Sequence, residues 1–241
     1  MSILLEVCVD SMDGLEAAIA GGADRIELCS ALDLGGLTST PGLIAAAARA
    51  PIPVYAMIRP HARSFEWSPA DTAAMLAEID AVRAAGLAGV VLGAALPGGS
   101  LDVALLRTLC EHARGLGTTL HRVFDLVPDP AHALEEAVAL NFERILTSGG
   151  AARATDGLAV LADLARRAAG RIVIMPGSGV AADNVARIVE ATGATEVHAS
   201  CREALAPGES KGVELGFFPA RPACTSQHFV QAFKQTLALI G

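Results

Sequence analysis

The sequence predicts a single-domain α/β fold, a (β/α)8 TIM barrel over residues 1–241. Three observations carry that prediction. A short β-rich run, a loop and an alanine-rich helical run recur eight times along the chain, and such alternation builds right-handed βαβ units around a parallel sheet. Eight units in 241 residues is the size at which such a sheet closes. No Pro/Gly/Ser-rich linker divides the chain. The competing arrangement is an open, doubly wound sheet.

The elements follow in order. LLEVCV (4–9) precedes a helix over 12–20, and RIELCS (25–30) precedes one over 41–49. VYAMIR (54–59) leads to 69–85, GVVLGA (89–94) to 102–114, and TTLHRVF (118–124) to 130–139. RILTSG (144–149) leads to 157–169, RIVIMPG (171–177) to 181–191, and TEVHAS (195–200) to a last helix over 226–239. Ser11, Thr40, Ser68 and Asp129 stand where N-caps belong, and Pro41, Pro69 and Pro130 follow three of them in the first helical turn. Gly21, Gly86, Gly115 and Gly193 fall where helices should stop. Residues 202–225 are expected to form a long irregular loop before the last helix.

Composition narrows the function. A net charge of -8 without basic runs argues against nucleic acid or an anionic membrane as partner. No apolar run approaches the roughly 20 residues that span a bilayer. The opening MSILLEVCVD has no basic leader, and its five cysteines are scattered and odd in number, so a cytoplasmic location is expected.

Strands covered on both faces usually read as continuous apolar runs, and these do not. Alternate positions give Glu6 and Cys8 on the first strand, and Arg25, Glu27 and Cys29 on the second. The third gives Tyr55, Met57 and Arg59; the fifth gives Thr119, His121 and Val123, leading to Asp125; the eighth gives Glu196, His198 and Ser200. Val7, Ile26, Leu28, Ile58, Leu120, Phe124 and Val197 face the other way and suit helix packing. The polar set therefore points into the barrel. Arg25, Glu196 and Glu6 lie early in their strands, where a self-satisfied network is as good a reading as a site. Arg59, His121, Asp125 and His198 lie late, toward the end where this fold does chemistry.

Two loops add an anion-site expectation. TSGG (147–150) and PGSGV (176–180) follow strands six and seven, and small residues let backbone N–H groups approach an anion. The candidates are Thr147, Ser148, Gly149, Gly177 and Gly179, with Arg59 as clamp. Lysine occurs only at positions 211 and 234, which removes Schiff-base chemistry from the strands. H-E-x-x-H and G-x-S-x-G are absent from the sequence. What remains is acid–base chemistry or soft-metal binding. The metal reading rests on Cys8 and Cys29, which share an E-x-C pattern on successive strands. Two thiols with a thioether such as Met57, or an imidazole, suit Cu(I). Cys110, Cys201 and Cys224 read as structural.

LEVCVDS, GADRIELCS, GGLTSTPG, MIRP, HRVFD, RILTSG and the strand-seven glycine loop resemble the CutC family of copper homeostasis proteins through about Cys201. The resemblance implies a cytoplasmic TIM barrel, a homo-oligomer (dimer or tetramer), and Cu(I) ligands at Cys8 and Cys29. Two departures stand out. The third-strand motif runs RPHARSF, with His61 where the family carries a second arginine and Arg63 two residues on, and the glycine loop reads GSG. Copper does not account for the remaining polar residues. They match an alternative, an isomerase, epimerase or lyase for a small anionic compound, phosphorylated or not. In that reading Glu27 is the base, His121 the acid held by Asp125, His198 a further catalytic group, and Arg59 with the two loops the anion site. A binding scaffold acting through partners is the third option.

Overall fold

The computed structural model describes residues 2–206 and 208–241. Eight parallel strands carry the fold: β1 (Leu4–Val9), β2 (Arg25–Leu28), β3 (Val54–Met57), β4 (Gly89–Leu92), β5 (Gly117–Leu120), β6 (Arg144–Thr147), β7 (Val173–Pro176) and β8 (Glu196–Ala199). They are laddered in the order β7-β6-β5-β4-β3-β2-β1-β8, and β7 then lies against β8 so that the barrel is nearly closed. The helices are α1 (Met12–Gly21), α2 (Pro41–Ala47), α3 (Pro69–Ala85), α4 (Val103–His112), α5 (Pro130–Ala139), α6 (Leu158–Ala168), α7 (Val185–Thr192), α8 (Ser210–Glu214) and α9 (Gln227–Ile240). This is a TIM barrel, as the strand–helix alternation predicts.

Local chemistry sets the element ends. Ser11, Thr40, Ser68 and Asp129 all accept backbone N–H groups as N-caps, and Ser68 and Asp71 form a full capping box ahead of α3. Gly86 and Gly193 close α3 and α7 in the left-handed region, while α1 ends one residue later than expected, at Gly22. The main core lies between sheet and helices. Val7, Ile26, Leu28, Ile58, Leu120, Phe124 and Val197 are sealed there, each large side chain contributing roughly 1.5–3 kcal/mol. A smaller apolar cluster of Cys29, Tyr55, Met57 and Val91 fills part of the barrel interior.

Three expectations need correction. The fifth strand stops at Leu120, because His121 caps a 3-10 turn over Arg122–Leu126 with its own side chain. Val123 accordingly joins the outer core rather than a strand face. Residues 202–225 are not irregular throughout: β9 (Arg202–Ala204) pairs antiparallel with β10 (Ala223–Thr225), and α8 lies between them. Pro207, within that span, lies outside the described residues.

Candidate functional site

Register decides which polar side chains meet. Across β1, Glu6 stands opposite Arg25 on one side and His198 on the other, and Cys8 stands opposite Glu27. Side chains two residues apart on a strand share a face. The inward positions therefore form levels: Arg25, Glu6 and His198 lower down, then Glu27 with Cys8, then Cys29 about 7 Å further along the strand.

The lower level is closed. Arg25 Nε donates to Glu6 at 2.5 Å and its Nη2 to Glu196 at 2.5 Å. Arg144 Nε donates to the same Glu196 oxygen at 3.1 Å and its Nη1 to Thr119 at 3.0 Å. Both guanidinium groups lie over the Tyr55 ring, at 5.4 and 4.7 Å from its centroid. Burial works against charge on Glu6, yet its hydrogen bond to His198 and the Arg25 cation outweigh burial and hold its carboxyl at about 2.

The His198 ring spans from this floor to the level above, where Cys8 and Glu27 meet it: each of the three presents one donor atom, and the three atoms lie within 4.8 Å of one another. His198 Nδ1 is 2.8 Å from Glu6 Oε1, and its Nε2 is 3.8 Å from Glu27 Oε2. Burial opposes an imidazolium there, but Cys8, Glu27 and Glu6 raise its pKa well above the usual value. Glu27 is itself pushed up, first by burial and then by Glu6, while His198 pulls the other way. Cys29 is not part of that trio. Its thiol contacts Glu27 at 3.5 Å, is raised by burial and by the Glu27 charge, and packs under Gly36, where a Cβ would come within 2.9 Å of the sulfur. Met57 lies beside Cys29 in the inner apolar cluster.

A cavity of about 280 Å³ opens over this level at the C-terminal ends of the strands. Cys8, Glu27, Arg59, His121, Gly179 and His198 all line it. Arg59 Nη1 donates to the carbonyls of Leu34 and Gly36 at 2.8 Å each, and its guanidinium lies 4.8 Å from the Phe65 ring centroid. His121 also touches that ring, 4.9 Å from its centroid and tilted 46° to it. Its Nδ1 accepts the Val123 N–H at 3.1 Å, which leaves the proton on Nε2. Burial and the Arg59 charge push His121 down to about 3, so the ring is a neutral donor at physiological pH.

Asp125 does not hold His121. Its carboxylate accepts from Thr147 Oγ1 at 2.5 Å, from Ser148 N and Gly150 N at 3.0 Å, from Ser148 Oγ at 3.1 Å and from Arg122 Nε at 2.6 Å. The loop after β6 is thus an anion cradle already filled by a side chain of the protein. Gly149 and Gly150 both take positive φ, and a Cβ at Gly149 would sit 2.6 Å from the Gly157 carbonyl, so only glycine fits that turn. Gly149 N donates to Thr147 Oγ1 and Gly177 N to the Thr147 carbonyl, so both are engaged in the scaffold. The departures in RPHARSF leave the cavity alone: His61 packs on Trp67 at 4.9 Å and pairs with Asp71 at 3.5 Å, and Arg63 is exposed. Phe65 and Arg122 line the cavity and were missed by the strand-parity reading: Phe65 lies on no strand, and alternation along the expected strand 118–124 turned Arg122 outward, whereas it sits in the 3-10 turn that follows β5.

Comparisons with known proteins agree with this architecture. The family model described as the CutC family matches residues 3–203. A CutC family protein of Rhizobium meliloti is 55% identical over 235 residues, covering 98% of this chain and 96% of its own. One of Caulobacter vibrioides is 54% identical over 241 residues, covering 98% of each. Among solved structures, CutC from Streptococcus agalactiae, named provisionally for copper homeostasis, superposes with a TM-score of 0.79 at 29% identity, covering 82% of this chain and 98% of that one. An N-(5'-phosphoribosyl)anthranilate isomerase from Pyrococcus furiosus, at TM-score 0.60 and 14% identity over 99% of this chain and 100% of its own, shares the barrel alone. A family match over most of the barrel and relatives above half identity along nearly the whole length place this chain in the CutC family.

Proposed function

We propose that this protein takes part in copper homeostasis in the cytoplasm by binding Cu(I) at the barrel mouth. Cys8 supplies the thiolate, His198 the imidazole, and Cys29 a second sulfur reached past Glu27. The observation that carries the reading is the convergence of one donor atom each from Cys8, Glu27 and His198 within 4.8 Å. Thiolate and imidazole suit a soft ion, which needs only two or three ligands. Glu6, 2.8 Å behind the His198 ring, is the carboxylate partner that orients a ligating histidine. The test is titration of Cu(I) against a competing chelator. Cys8→Ser should abolish competition, Cys29→Ser should weaken it, and Glu6→Gln should lower affinity about 10–100-fold. Undiminished binding by Cys8→Ser would remove copper from this site.

A second reading is favoured by a different observation. Buried polar atoms of Glu27, Arg59 and His121 have no hydrogen-bond partner among the described residues, and all three residues line the cavity. Such groups suit an enzyme for a small anionic compound, with Arg59 as clamp, His121 as donor to a reacting oxygen and Glu27 as proton acceptor.

A further inference from the structure

Four buried side-chain polar atoms lack a partner among the described residues: Glu27 Oε1, Arg59 Nε, His61 Nδ1 and His121 Nε2. Three of the four belong to one cavity. Arg59 is 6% exposed, yet no described carboxylate lies within 4.0 Å of it. Its Nη1 is bound to two carbonyl groups, while Nε is buried with no hydrogen-bond partner among the described residues, so the Nε side of the guanidinium, the side that takes a carboxylate side-on, is left unsatisfied. A buried cation without a counter-ion calls for an anion. His121, 3% exposed, lines the same cavity, and its neutral Nε2–H has no partner among the described residues. The volume, about 280 Å³, falls just below the usual 300–1,000 Å³ range of ligand pockets, so the ligand is a small metabolite.

Resting on the enzyme reading above, we infer that the ligand is a small unphosphorylated 2-oxo or 2-hydroxy carboxylic acid. Its carboxylate sits on the Nε/Nη2 edge of Arg59 and its neighbouring oxygen on His121 Nε2. A phosphate is disfavoured because the N–H cradle after β6 holds Asp125. For a 2-oxo acid the chemistry balances without an oxidant. Glu27 takes a proton from the carbon beside the carbonyl, the C–H electron pair becomes the C=C bond, and the carbonyl π pair moves to oxygen. The His121 N–H stabilises the resulting enolate, and reprotonation returns the acid.

The experiment uses the full chain with a chelator present to keep metal from Cys8. Pyruvate, 2-oxobutyrate, lactate and inorganic phosphate are titrated by calorimetry, and loss of C3 protons from pyruvate in D2O is followed by NMR. The carboxylates should bind and phosphate should not. Arg59→Met should weaken binding by about tenfold or more, with Arg59→Lys intermediate and circular dichroism confirming that both fold. Binding of phosphate instead of the acids, binding of neither, or carboxylate binding indifferent to Arg59→Met would overturn the assignment. Proton exchange lost in Glu27→Gln with binding retained supports the acid–base reading. Arg59-dependent binding without exchange in the wild type would keep the ligand class and sink the enzyme.

Discussion

The floor and the mouth of this barrel are built from the same residue types at the same strand parity, and they differ in whether those residues satisfy one another. On the floor, Glu6, Arg25, Glu196 and Arg144 alternate in sign and are stitched by contacts of 2.5 to 3.1 Å around Tyr55. No side-chain atom of that chain is left buried without a partner among the described residues. One level up, Glu27, Arg59 and His121 each keep a buried atom unpartnered. A buried polar group left alone costs roughly 1–3 kcal/mol. Protein groups alone satisfy the floor, and among the described residues they leave the mouth partly unsatisfied. Polar residues inside a barrel are not by themselves a site; it is the unsatisfied ones that motivate the proposed ligand.

The largest effect that would break this contrast is on the floor. Glu6→Ala leaves Arg25 facing one carboxylate instead of two and strips His198 of its Nδ1 partner. Removing one member of a buried ionic network costs about 3–5 kcal/mol. Urea unfolding should show that loss, whereas Glu27→Gln, one level higher, should change stability little. Equal losses at the two positions would erase the distinction between floor and mouth.

The fold was legible because its signals are local. N-caps at Ser68 and Asp129, stops at Gly86 and Gly193, and parity along each strand are all written within a few residues. The inward set was legible for the same reason: Glu6, Cys8, Arg25, Glu27 and His198 lie on the face that alternation assigns. Level was not legible, because it depends on register between strands. The two E-x-C motifs suggest paired thiols, but register puts Glu27 opposite Cys8 and carries Cys29 one step higher. HRVFD reads as strand until the His121 side chain caps the following turn. Asp125 then points away from His121 and into a loop whose glycines looked ready for a foreign anion. The antiparallel pair inside 202–225 escaped because its strands have three residues each and little apolar alternation.

The next effect sharpens the comparison at the loop after β6. Asp125→Ala leaves the N–H groups of Ser148 and Gly150, the Thr147 hydroxyl and Arg122 without their shared acceptor. Bonds to a charged group are worth about 1.5–3 kcal/mol each, less whatever water replaces, so a net loss of roughly 2–3 kcal/mol in thermal unfolding is expected. Formate or acetate should recover part of the loss in Asp125→Ala and have no such effect on the wild type. A variant indifferent to both anions would mean that the cradle does not bind a carboxylate as such.

The smallest effect lies in the pH dependence of the mouth. His121 ionises at 6.5 in its ordinary state and is held at about 3 in the folded protein, by burial first and Arg59 second. Below pH 6.5 the unfolded chain takes up a proton that the folded chain refuses, so unfolding is favoured as pH falls. The stability owed to neutral His121 is complete above pH 6.5 and drains away as pH drops toward 3. Between pH 7 and 5 this amounts to roughly 2 kcal/mol. His121→Asn retains an acceptor for the Val123 N–H and has nothing to titrate, so its urea midpoint should be flatter over that interval than the wild type's. Parallel profiles for the two proteins would mean that the imidazole is wetted enough to ionise normally, and that burial does not govern charge at the mouth.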